Sequence, residues 1–152
     1  MKLAISLTCL VLAAMLFSSA CTGGGAPAAV QSTNSQITEG VMTTSVDEGS
    51  KPTGGIKTSF PVSAPVIYVS FKVSGVAKDD MIKATWTYVG GAAAEKANTQ
   101  INETYDIVQV PEASYYLAFY LDKPAEGWDK GDYKVVLSIN SKEKLSVPFK
   151  ME

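Results

Sequence analysis

The chain has 152 residues, 46% of them hydrophobic, which supplies one packed domain plus a targeting segment and a tether and leaves no room for two full domains. Its formal charge is −2, its thirteen positive charges are all lysine, and it contains neither arginine nor histidine. Without a guanidinium fork or a basic surplus nucleic acid is a poor partner, and without imidazole there is no His-assisted nucleophile and no His-bound zinc or copper.

Residues 1–21 read MKLAISLTCLVLAAMLFSSAC, a single Lys2, an apolar run from Leu3 to Phe17, then small residues before a cysteine. A bilayer-spanning helix needs about 20 apolar residues, so this shorter run predicts an export signal over residues 1–20. The ending Leu16-Phe17-Ser18-Ser19-Ala20-Cys21 resembles the lipobox of bacterial-type lipoproteins. That resemblance implies acylation of Cys21 with chains such as palmitate, removal of the preceding residues, and an extracytoplasmic protein held at the cell membrane. The only other cysteine, Cys9, lies in the segment to be removed, so the mature chain would form no internal disulfide, and acylation gives the lone thiol a purpose. Residues 21–40 continue in Gly, Ala, Ser, Thr and Pro without periodicity. They predict a flexible linker with a span of roughly 25 Å, followed by a domain over 41–152.

From residue 41 onward, short runs of period two alternate with Gly, Pro, Asn and Asp, the pattern of strands. Residues 66–73 place Ile67, Val69, Phe71 and Val73 on one face. The runs through Ile82, Ala84, Trp86 and Tyr88, through Tyr115, Leu117, Phe119 and Leu121, through Tyr133, Val135, Leu137 and Ile139, and through Leu145, Val147 and Phe149 repeat it. Weaker candidates at 41–47, 56–60 and 101–110 bring the total to seven or eight strands, the number a two-sheet sandwich uses. Residues 92–97 allow at most one helical turn. Asn140-Ser141 predicts a tight hairpin, although Asn-Gly would suit it better.

Asp129-Lys130-Gly131-Asp132-Tyr133 resembles the tyrosine corner that opens strand F of immunoglobulin-like domains. The resemblance implies an all-β, two-sheet antiparallel sandwich in which Tyr133 is the corner tyrosine, with Asp129 and Gly131 completing the motif. It also makes Trp86 the core tryptophan of strand C and 66–73 strand B. Val135 stands where the strand F cysteine would be, so the inter-sheet disulfide of antibody domains is missing.

Period two puts Tyr68, Tyr116 and Tyr120 on the face away from the core, beside Val66 and Ala118, and neighbouring strands B and E would gather them into a patch. Large rings with a polar tip suit partner surfaces and sugar stacking. The alternative is that these tyrosines only make cross-strand pairs, partly covered by the N-terminal segment. Acids at Asp47-Glu48, at Asp79-Asp80, and at Asp122, Glu126, Asp129 and Asp132 match no calcium-loop pattern and predict solvated loop charge, with no metal site. Trp128 is expected to plug one end of the sandwich. No catalytic residue and no cofactor is indicated. The expected function is a membrane-anchored, non-enzymatic binding or structural module for a protein or an envelope glycan. The alternative is a small-ligand or metal-binding accessory subunit of a membrane complex such as a transporter.

Overall fold

The structure, a computed structural model, describes residues 34–152. Cys21, the export signal and most of the expected linker lie outside the described residues.

Eight strands follow one another: β1 (Gln36–Thr43), β2 (Ser59–Phe60), β3 (Val66–Ser74), β4 (Met81–Gly91), β5 (Thr99–Ile107), β6 (Ser114–Asp122), β7 (Gly131–Ile139) and β8 (Lys142–Met151). They form two sheets of order β1-β3-β6 and β2-β8-β7-β4-β5, antiparallel throughout except for the two-residue β2–β8 pairing. This is the sandwich the sequence predicts, with strand B at β3, C at β4, E at β6 and F at β7. The apolar faces meet in one core built on Ile67, Val69, Phe71, Ile82, Trp86, Val135 and Leu137, all fully buried.

The expected boundary at residue 41 is corrected. Pairing of β1 with β3 begins at Gln36↔Ser74, and Ile37 is buried against the core, so the last residues assigned to the linker belong to the domain. A β-bulge hides this strand from a period-two pattern: Glu39 and Gly40 lie between Thr38↔Lys72 and Val41↔Ser70, with only Phe71 opposite, and the facing of every later residue shifts. Glu39 has φ 55°, in the left-handed region. At 56–60 only Ser59–Phe60 is strand, and Ile56 is exposed. Residues 92–97 hold one 3-10 turn, Ala94–Lys96.

Asn140 and Ser141 both have positive φ, 50° and 65°, as a two-residue type I′ hairpin requires. Asn140 also locks the turn to its surroundings, accepting from the Met81 N–H at 2.9 Å and donating to Asp80 at 2.7 Å. Asp80, expected to be a solvated loop acid, is instead buried, and its second oxygen accepts from the Ala77 N–H at 2.8 Å. Ser141 makes no such bonds and only carries the strain of its φ. Ser141→Gly should therefore raise stability by about 0.5 kcal/mol, read as a higher urea midpoint at unchanged slope.

Candidate functional site

The corner motif assembles as the resemblance implies. The Tyr133 hydroxyl donates to the Asp129 carbonyl at 2.8 Å, and its ring stacks on Phe149 at 5.2 Å between centroids. Burial, with Asp129 and Tyr88 nearby, pushes the Tyr133 phenol up to about 12. Trp128 caps the end of the sandwich, meeting Tyr133 edge-on and donating from its indole to the Ala64 carbonyl at 2.8 Å. Asp129 holds Lys96 at 2.8 Å. A cavity of about 300 Å³ sits here, walled by Tyr88, Trp128, Tyr133 and the Lys96–Asp129 pair. The hydrogen-bonding groups of these five side chains are already used by the fold.

The three outward tyrosines do share one sheet face, but the structure divides them. Tyr68 and Tyr120 are directly opposite across β3 and β6, their rings 6.0 Å apart and tilted at 47°. Tyr116 belongs to a polar cluster: its hydroxyl donates to the Glu39 carboxylate, Lys72 reaches the same carboxylate at 3.5 Å, and the Lys51 ammonium lies 5.5 Å from its ring centre. The hydrogen bond from Tyr116 holds the Glu39 carboxyl below its ordinary range, and reciprocally raises the Tyr116 phenol. The loop after β1 covers the middle of the face, where the Ser70 hydroxyl donates to the Ser50 carbonyl at 2.6 Å and Ser70 is buried. The N-terminal part of the domain thus covers the patch at Tyr116 and Ser70 and leaves Tyr120 55% exposed.

Tyr120 also borders a feature the sequence pattern does not announce. The five-stranded sheet is wider than the three-stranded one, so its edge strand β5 overhangs. Cross-strand pairing with the buried Ile82, Ala84 and Trp86 turns Asp106, Thr104 and Asn102 toward the sandwich interior, where the facing sheet ends at β6 and covers them only in part: Asn102 and Thr104 are half-buried and Asp106 is exposed. The result is a groove of about 440 Å³ between β5 and β6, with Asn102, Thr104 and Tyr105 on one wall and residues 118–122 on the other. The Thr104 hydroxyl oxygen is buried there and has no hydrogen-bond partner among the described residues. Of the large hydrophobic residues exposed among the described residues, Tyr105 and Tyr120 stand on the two walls of this groove, 63% and 55% exposed.

Among the described residues no group of three or more Asp, Glu, Cys or His side chains is gathered to hold a metal, and no helix is long and apolar enough to cross a membrane. The acids expected in loops are dispersed: Asp47 accepts from the Lys51 N–H at 2.8 Å, Asp129 is paired, and Asp80 is buried in the hairpin network.

No protein-family profile and no curated protein matches the chain. Among solved structures, an immunoglobulin-like protein from Pseudomonas aeruginosa is 14% identical with a TM-score of 0.52, over 80% of this chain and 98% of the other. The fold is therefore an immunoglobulin-like β-sandwich. A Pseudomonas fluorescens alkylpurine DNA glycosylase bound to DNA is 13% identical with a TM-score of 0.47, over 78% of this chain and 30% of the other. A β-glucosidase from Erythrobacter marinus is 11% identical with a TM-score of 0.49, over 78% of this chain and 15% of the other. The chain spans less than a third of the length of either of these two enzymes.

Proposed function

We propose that this chain is an exported lipoprotein, anchored through Cys21 to the outer side of a cell membrane, whose sandwich acts as a non-enzymatic binding module for a protein or an envelope glycan. The observation that carries the binding part is the pair of exposed tyrosines, Tyr105 and Tyr120, on the two walls of the β5–β6 groove, with the Tyr68–Tyr120 ring pair at its rim. A tyrosine there presents a rigid apolar plane with a hydrogen-bonding tip, one of the side chains enriched where binding energy concentrates. Lysine, carboxylate and hydroxyl groups are the only reactive side chains the described domain offers, and none of them lines the groove in a nucleophile–base arrangement. The anchoring part rests on the lipobox resemblance at residues 16–21.

Affinity capture from envelope extract tests the binding part, using the wild type and a Tyr68→Ala, Tyr120→Ala double variant whose folding is checked by circular dichroism. A protein or glycan retained by the wild type, and lost by at least tenfold on the folded variant, is the expected result. Equal retention by both proteins would remove the tyrosine pair from the site.

A further inference from the structure

We infer that the groove between β5 and β6 accepts an extended, lysine-bearing segment of another polypeptide, which pairs with the free edge of β6 and completes the short sheet as its fourth strand. This rests on the binding-module proposal and names the partner's chemistry and pose.

The backbone supplies the first argument. β6 pairs with β3 over all nine of its residues, from Val66↔Asp122 to Ser74↔Ser114, and has no strand on its other side among the described residues. Alternate N–H and C=O groups of an edge strand point outward, ready for another strand. Natural edges are usually blunted with lysine, proline or a bulge, and β6 (SYYLAFYLD) has none of these and an unbroken register.

Side chains add the second argument. An incoming strand would lie under the overhang of β5, beside Asn102 and the unpartnered Thr104 hydroxyl, with alternate residues facing the sandwich interior next to the half-buried Leu117. Its outward residues would extend the Tyr68–Tyr120 pair by one more cross-strand neighbour.

Charge decides the occupant. Residues 99–122 carry Glu103, Asp106, Glu112 and Asp122 and no lysine. Glu103 is satisfied by Lys83 at 3.2 Å, while Lys123 runs its side chain toward Gly127 in the following turn. Asp122 lines the groove, Asp106 and Glu112 lie near Tyr115 toward the other end of β6, and none of the three is in an ion pair among the described residues, so the β6 edge favours a partner with basic residues beside its extended core. The same acids oppose a second copy. Antiparallel pairing of two β6 strands over all nine residues sets Asp122 opposite Ser114, diagonal to Glu112, at both ends of the symmetric contact.

The test is a pooled library of synthetic nine-residue peptides, random at every position except the ends, half ending in lysine and half in glutamate, passed over the immobilised full chain. Lysine-ended peptides should be enriched at least tenfold, with apolar residues at alternate positions. The best binder should lose at least tenfold in affinity when alternate backbone nitrogens on one edge are methylated, because that edge can no longer donate. A Glu112→Lys, Asp122→Lys variant, altered only at exposed positions, should reverse the preference for lysine ends. Equal binding of the methylated and unmethylated peptides, or no enrichment at all, would overturn the inference. So would a stable dimer of the wild-type chain in sedimentation that Tyr68→Ala, Tyr120→Ala dissociates. Tyr68- and Tyr120-dependent capture of a glycan alone would overturn the strand-addition inference and leave the binding module standing, and capture of nothing would remove both.

Discussion

Gly131→Ala should lower the stability of the domain by about 4 kcal/mol and its melting temperature by about 15 °C or more. Gly131 opens β7 with φ 152°, a conformation open to glycine and strained for any L side chain. A Cβ there would stand 2.4 Å from the Gly90 carbonyl oxygen and 3.0 Å from the Gly91 Cα, both backbone atoms that cannot swing aside. Gly91 has φ 151° and is Gly131's direct strand partner, so the two glycines let β4 and β7 touch where the chain enters the tyrosine corner. The strain and the overlap together approach half of what holds a typical domain folded. Gly90→Ala is the matched control: a Cβ at Gly90 meets nothing within 4 Å, and its melting temperature should stay within about 3 °C of wild type. Equal effects of the two substitutions would show that close approach at Gly131 is not what the motif's glycine provides.

Trp86→Ala should cost about 4 kcal/mol, and Trp86→Phe only about 1 kcal/mol. The indole is fully buried at the centre of the sandwich, edge-on to Phe149 at 6.2 Å, and cross-strand from Val135, which stands where antibody domains place the strand F cysteine. Truncation leaves a cavity lined by rigid strands that cannot collapse into it. Phenylalanine fills most of that space, and it removes an indole N–H that is buried with no hydrogen-bond partner among the described residues, so part of its volume loss is offset. Denaturant unfolding of both variants measures the difference. A Trp86→Phe cost close to that of Trp86→Ala would mean the N–H is satisfied and contributes to stability.

Much of the fold was legible because a strand's facing is local. Two residues fix the alternation, and the runs at 66–73, 82–88, 115–121, 133–139 and 145–149 all became strands with the expected residues inside. Trp86 and the Asp129-Gly131-Tyr133 corner followed from the immunoglobulin-like resemblance, the corner because its hydrogen bond spans only four residues, whereas the bond that seats Trp128 reaches the Ala64 carbonyl 64 residues away. What failed is non-local or breaks the period. The Glu39–Gly40 bulge disguised β1, and the inward turn of Asp80 depends on Asn140, sixty residues away.

The site was legible only in part, for the same reason. Outward tyrosines at 68, 116 and 120 could be listed from alternation, and β3–β6 adjacency followed from the immunoglobulin-like topology. Which tyrosine stays open depends on where residues 39–51 fold back, and that separated Tyr116, held by Glu39 and Lys51, from the exposed Tyr120. The β5–β6 groove depends on the unequal widths of the two sheets. Nothing in the composition of β5 signals it except polar Asn102, Thr104 and Asp106 at positions whose neighbours on β4 are core residues.

Amide hydrogen exchange on the full chain, alone and with the material that the wild type retains from envelope extract, tests most directly whether this flank binds. Slowed exchange concentrated in residues 114–122, with smaller protection in 99–107, is the predicted outcome. Protection confined to β1, β8 or the 300 Å³ cavity, with β6 exchanging as freely as before, would place the binding surface elsewhere on the sandwich.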